Sequence, residues 1–399
     1  MNYFRVFKTY SKEENIIAFA VMSQPALVVF QFLLISVFYI PEEQTTKYRV
    51  ALTAIPLLLA IMVGIKKKPR KFIWTFVALF FFLIFEYLLF PANGSYIFSD
   101  SLRFLVPVIV PSILCLSCLR DMKIVEDVLF LYSWIIVFMA LFFVMRFLQG
   151  RVEFESYNMG LSYALLLPMV ILYKNGGMLS YIGTFICFIC ILVFGSRGAL
   201  IAGVLYILYD IVKKNKRNLF YIAIASFFVI SMAISFGDYL ESLGISSRTL
   251  NFIIGGNLSA AEGRDDIYPK AIALIQENWF FGLGIYGDRV HMDGEYCHNV
   301  ILEFLLDYGV IFGSLFLIVL FVFIIKVYIR QDSEHRNALL KYFIVLFLPL
   351  FTSGSYLIEC NMGVFWGIVF LLNNYAKDYP RKKLYQYKGV KESQKLSNV

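Results

Sequence analysis

Residues 72–90 read FIWTFVALFFFLIFEYLLF, nineteen positions with a single charge, Glu86. As an α-helix this run would be about 28 Å long, close to the roughly 30 Å of a bilayer's hydrocarbon core. Further apolar runs lie at 15–40, 50–65, 103–119, 125–146, 159–173, 179–194, 199–212, 218–236, 309–329, 339–358 and 361–375. The 399-residue chain is 60% hydrophobic, 18% aromatic and only 16% charged, with mean hydropathy +0.72. Soluble domains hold about 45–50% apolar and about 25% charged residues. Composition therefore excludes a soluble enzyme, a disulfide-stapled secreted module and a disordered chain. Continuous apolar runs, in place of alternation, exclude an outer-membrane barrel. The pattern predicts an all-α polytopic membrane protein of about 12 transmembrane helices.

The formal net charge is +8. Its placement argues against a nucleic-acid face. Lys66-Lys67-Lys68, the group Lys213, Lys214, Lys216 and Arg217, and the tail from Arg381 to Lys395 all sit between or beyond apolar runs. With twelve spans, alternate loops hold 26 of the 36 Lys and Arg residues, so both termini are expected in the cytoplasm. The first apolar run lacks a small-residue cleavage site and reads as a retained span. The expected organisation is transmembrane helices 1–9 over 1–236, an extracytoplasmic loop over 237–299, helices 10–12 over 300–376 and a basic cytoplasmic tail over 377–399. Within the long loop, Asp265-Asp266 followed by Ile267, Ala271, Leu274, Ile275 and Trp279 reads as a short amphipathic helix, ended by Gly282 and Gly284.

The ten outer cations include eight arginines, whereas the inner 26 hold nineteen lysines. Lysine serves as a topogenic charge, but the arginine fork grips phosphate or carboxylate through paired hydrogen bonds. The outer face is thus expected to receive an anionic, phosphorylated ligand. Gly195-Ser196-Arg197-Gly198-Ala199 joins two spans and puts Arg197 at or just below the outer surface. Arg264 precedes the amphipathic helix, where unpaired N–H groups would add to its charge; a local salt bridge to Asp265 or Asp266 is the alternative. Arg289 is a further candidate. Glu86, inside a span, needs a partner or a wet cavity, and an outer arginine is the expected partner.

His298 opens a helix expected to run unbroken to about 329, with Asn299, Glu303 and Asp307 on one face. An imidazole at that place could take a proton from a hydroxyl. His291, Asp293, Glu295 and His298 offer mixed metal ligands, but their spacing fits no common zinc motif. Cys115 and Cys118, and Cys187 and Cys190, read as packing thiols; a disulfide between Cys297 and Cys360 stays open.

Phe194-Gly195-Ser196-Arg197-Gly198-Ala199 resembles an element of the O-antigen ligase and polymerase family. Gly282-Leu283-Gly284, His298-Asn299 and Asp307-Tyr308-Gly309 resemble the same family's second signature, with Asp307 where glutamate is commoner. The resemblance implies a membrane-embedded glycosyltransferase of the C type in the cytoplasmic (inner) membrane, active on the extracytoplasmic face. The donor it implies is an undecaprenyl-pyrophosphate-linked oligosaccharide, with no metal and no cofactor. Its essential arginines would map to Arg197 and Arg264 and its histidine to His298. Tyr296 and Asn299 could hold sugar, with Gly195, Ser196, Arg289 and Glu303 completing the substrate site. The short outer loop favours polymerase of O-antigen, capsule or exopolysaccharide units over ligase transfer to lipid A core. Pathway partners would include a flippase and a chain-length regulator. A lipid-linked oligosaccharide transporter is the reading from another class, but the chain lacks the internal repeats and mid-span charges expected of one.

Overall fold

The computed structural model describes residues 9–149, 159–194, 196–214 and 266–377. Among these the protein is all-helical, 84% helix, with no strand. Among the described residues, six helices are long and apolar enough to cross a bilayer. They are α3 (Glu42–Lys67), α4 (Pro69–Leu89), α5 (Pro91–Leu116), α6 (Met122–Leu148, whose spanning part is Met122–Phe143), α12 (Val300–Arg330) and α13 (Ser333–Ser353). The first apolar run is a bent pair, α1 (Lys12–Met22) and α2 (Gln24–Ser36), which meet at 46° and raise the number to seven if they count as one span. Pro25 has no N–H to return to Val21, so the ladder breaks beside it.

The expected twelve are not reached by this measure. The run at 218–236 lies outside the described residues, as does 237–265 of the long loop. α7 (Met159–Asn175) and α8 (Met178–Val193) are apolar but only 17 and 16 residues long, joined by Gly176 and Gly177 at positive φ. α9 (Arg197–Lys214) follows, and a last helix, α14, covers 360–377.

Burial separates centre from rim. Along α7, Leu161, Leu165, Leu166, Met169, Val170 and Leu172 are each at most 2% exposed, so this helix is core on all sides. By contrast, only 11% of the α4 span is buried, and Trp74, Phe80, Phe81, Phe85 and Leu88 face outward. Exposed apolar surface on this scale is what a lipid-facing helix presents.

The amphipathic helix is α10 (Ile267–Glu277). Ile267, Ala271 and Ile275 are buried with Met292, Cys297 and Leu306, so its apolar face docks on the start of α12. Asp266 is its N-cap residue, Asp265 lies outside the described residues, and the helix stops at Glu277, before the two glycines expected to end it. A short helix, α11 (Gly287–His291), leads on to α12.

Candidate functional site

The second glycine signature is a backbone clasp. α12 is not continuous: Gly309 has φ 73° and ψ 171°, which breaks the helix expected to run through it. The break frees main-chain groups that the 279–284 segment takes up. The Leu283 amide donates to the Leu306 carbonyl at 2.7 Å and the Gly284 amide to Asp307 at 2.9 Å, while the Val310 amide donates to Trp279 at 2.6 Å. Gly282 (φ 73°) sits so close that a β-carbon there would collide with the Asp307 carbonyl, and one at Gly309 with that of Phe280. Both positions combine left-handed backbone with a close approach, which only glycine tolerates.

From the clasp the chain runs through 285–289, pinned by the amino-terminal half. Glu86, buried in α4, accepts from the Ile285 amide at 3.2 Å; its partner is this N–H, not an arginine. The Asn93 side-chain amide donates to the carbonyls of Leu283 and Ile285, and Ser101 bonds Tyr286 at 3.2 Å.

Arg289 is consequently 3% exposed. Its guanidinium meets Asp288 at 2.8 Å, Glu303 at 3.5 Å and Asp100 at 3.7 Å and donates to Ser355 at 3.3 Å. Burial opposes its charge, but Asp288, Glu303 and Asp307 hold its pKa above the ordinary arginine value. Burial also raises the Asp288 carboxyl, against the pull of Arg289 and of the Cys297 and Arg289 amides. A guanidinium already ringed by carboxylates has little charge to offer a phosphate. Arg289 and Glu303 are both buried and engaged with each other in this structure.

The histidine stands at the edge of this cage. Asn299 is the N-cap of α12, its side-chain oxygen accepting from the Ile301 amide at 2.9 Å and the Leu302 amide at 3.3 Å. That bonding commits Asn299 to the helix start and fixes its neighbour His298 at φ 52°. The imidazole lies 4.0 Å, ring centre to ring centre, from Tyr296, and the Arg289 guanidinium covers the same tyrosine at 5.5 Å. Tyr296, His298 and Asn299 are half-buried.

The first motif meets the second through the turn after α13. A side chain at Gly198, one residue into α9, would strike the Tyr163 hydroxyl and Thr352 Oγ1, and Tyr163 hydrogen-bonds Ser353. Two residues on, Ser355 Oγ donates to Glu303 at 2.5 Å, the Tyr356 amide donates to Glu303 at 2.9 Å, and the Tyr356 hydroxyl donates to Asp307 at 2.5 Å. Residues 352–356 thus touch both sequence motifs. Ser196 is buried and Arg197 half-buried at the start of α9. Gly195 and Arg264 lie outside the described residues. His291, Asp293, Glu295 and His298 do not gather into a metal site, nor does any group of three such ligands among the described residues. The six cysteines, Cys297 and Cys360 included, are free thiols.

Sequence reasoning missed Asn93, Asp100, Ser101, Asp288, Ser355 and Tyr356, which hold the site together. All but Asp288, whose partners Arg289 and Cys297 are near it in the chain, act across long sequence separation, and no local spacing marks them.

The arrangement defines a multi-pass helical membrane protein whose candidate site is assembled by a glycine clasp and a carboxylate-caged arginine beside a histidine. Residues 182–318 match the family model described as O-antigen ligase. No curated protein and no solved structure matches the chain.

Proposed function

We propose that the protein polymerises lipid-linked oligosaccharide repeat units of an O-antigen, capsule or exopolysaccharide. It transfers glycan from undecaprenyl pyrophosphate to an acceptor sugar hydroxyl at the extracytoplasmic face of the cytoplasmic membrane, with twelve spans and both termini inside. The observation that carries this reading is the 352–356 turn, which contacts the Arg197 motif on one side and the His298 helix on the other. His298 takes the acceptor hydroxyl proton as that oxygen bonds to the anomeric carbon. The bond from that carbon to the pyrophosphate oxygen breaks on the opposite face, and the leaving group keeps the electron pair, so the centre inverts.

Charge on the pyrophosphate grows along this path, so guanidinium groups there stabilise the transition state more than the ground state. Arg197 and Arg264 supply them, and with Arg289 consumed by carboxylates they carry the neutralisation without help from it. Tyr296 offers the sugar a ring face.

Replacing His298 by Ala is expected to lower the single-turnover rate about a thousandfold with donor binding retained. A rate within a fewfold of wild type overturns the general-base assignment. The alternative acceptor, lipid A core, follows the family's description as O-antigen ligase; a deletion strain that loses chain attachment but keeps chain length would favour it.

A further inference from the structure

A second cationic site lies beside the first. A cavity of about 350 Å³ opens between α2, α3, α5, α7 and the turn after α13. Its polar lining includes Gln24, Arg49, Arg103, Tyr163, Ser353 and Glu359, and the rest is mainly apolar. Tyr163 and Ser353 are the pair that adjoins Gly198, so the cavity shares a wall with the Arg197 motif.

Three observations mark it as built to receive something. First, two irregular helices border it: the bend between α1 and α2, where Gln24 and Pro25 line the space, and a π-helical stretch of α5, Ser101–Ile109, which contributes Arg103, Phe104, Pro107 and Val108. Broken helices at membrane depth occur where they line a cavity, and π-helical stretches concentrate at functional sites. Second, Arg103 lies one turn beyond Asp100 of the Arg289 cage and borders the cavity from α5, while Arg49 borders it from α3, so two guanidinium groups from separate helices share one space. Third, the Gln24 side-chain nitrogen is buried without a hydrogen-bond partner among the described residues. Two guanidinium groups and an amide donor, with one carboxylate, Glu359, among mainly apolar walls, fit a phosphate that enters from the lipid.

We propose that this cavity binds the phosphate end of a second membrane amphiphile, a polyprenyl-linked substrate held beside the one at Arg197 and His298. The binding stands on the cavity alone; its role as a second substrate site rests on the polymerase reading, in which donor and acceptor are both lipid-linked.

The test uses the full chain in phosphatidylcholine nanodiscs, with undecaprenyl phosphate as the probe. The double variant Arg49→Gln/Arg103→Gln is expected to weaken its binding about a hundredfold, roughly tenfold for each charge-assisted contact. Ala54→Phe, which fills the cavity and leaves both arginines, should weaken it comparably, while His298→Ala should not change it. Unchanged binding in both cavity variants, each checked for wild-type thermal unfolding, overturns the site. Phosphatidylglycerol competing at equal mole fraction would assign the cavity to bulk lipid and overturn the substrate role. Loss of turnover in His298→Ala with intact cavity binding would leave this proposal standing, so it and the mechanism can fail separately.

Discussion

The cage around Arg289 and the cavity around Arg49 and Arg103 both place arginine among helices, yet they are opposite constructions. In the cage every guanidinium nitrogen meets a carboxylate or a hydroxyl, and the surrounding backbone is locked by the 282–310 clasp. In the cavity Arg103 is exposed, Arg49 is half-buried, and the Gln24 side-chain nitrogen has no hydrogen-bond partner among the described residues. The first has spent its polar capacity on itself and acts as scaffold. The second commits less of it, with Glu359 acting on Arg49, and so can receive a ligand.

That contrast breaks first at Glu303. Its replacement by Ala would leave Arg289 buried with one fewer counter-charge and release Ser355 and Tyr356. We expect a loss of about 4 kcal/mol, read as a lower thermal unfolding midpoint in detergent. A change under about 1 kcal/mol would mean the cage is no scaffold. Gly282→Ala should cost about 2–3 kcal/mol by the same readout, since it adds left-handed strain to a backbone collision. Asn299→Ala removes a helix cap for about 1 kcal/mol, and the larger consequence should appear in turnover because His298 loses its anchor.

On the cavity side, Arg49→Gln should change stability by less than about 0.5 kcal/mol while weakening phosphate binding. The smallest effect concerns acidity. Burial pushes the Glu359 carboxyl up to about 7, with Arg49 pulling the other way. The titratable and charged groups of the cavity are Arg49 on α3, Arg103 on α5, Tyr163 on α7, and Glu359 and Cys360. Below neutrality Glu359 is uncharged and leaves Arg49 to an anion; as pH rises through 7 it ionises and competes. Undecaprenyl phosphate takes on its own second charge over the same range, so the reading is the difference between proteins: Glu359→Gln should bind it severalfold tighter than wild type at about pH 8 and about equally at about pH 6. Parallel profiles for the two proteins would remove Glu359 from the account.

Much of this was legible in the sequence. Long apolar runs indicate a helical membrane bundle because hydrocarbon thickness sets span length, and the resemblance carried by Gly-Leu-Gly, His-Asn and Asp-Tyr-Gly points to segments that the 279–310 clasp brings together. The break at Gly309 was not legible, since apolar periodicity continues across it and only the approach of 279–284 stabilises it. Nor was the partner of Glu86: an outer arginine is the expected partner from sequence, whereas the Ile285 amide, 199 residues away, donates to it. Arg289 looked like its fellow outer arginines, and what sets it apart is that Asp100, Asp288 and Glu303 come from three separate segments.

The central claim is that guanidinium groups and one imidazole, without a divalent ion, transfer glycan from a pyrophosphate-linked lipid. The most direct measurement is a single-turnover assay of the purified full chain with a lipid-linked donor and acceptor in excess EDTA. The account predicts an undiminished rate in EDTA that falls at least about tenfold in Arg197→Lys, which keeps the charge and loses the paired hydrogen bonds. A rate that EDTA abolishes, or that Arg197→Lys leaves intact, would contradict it.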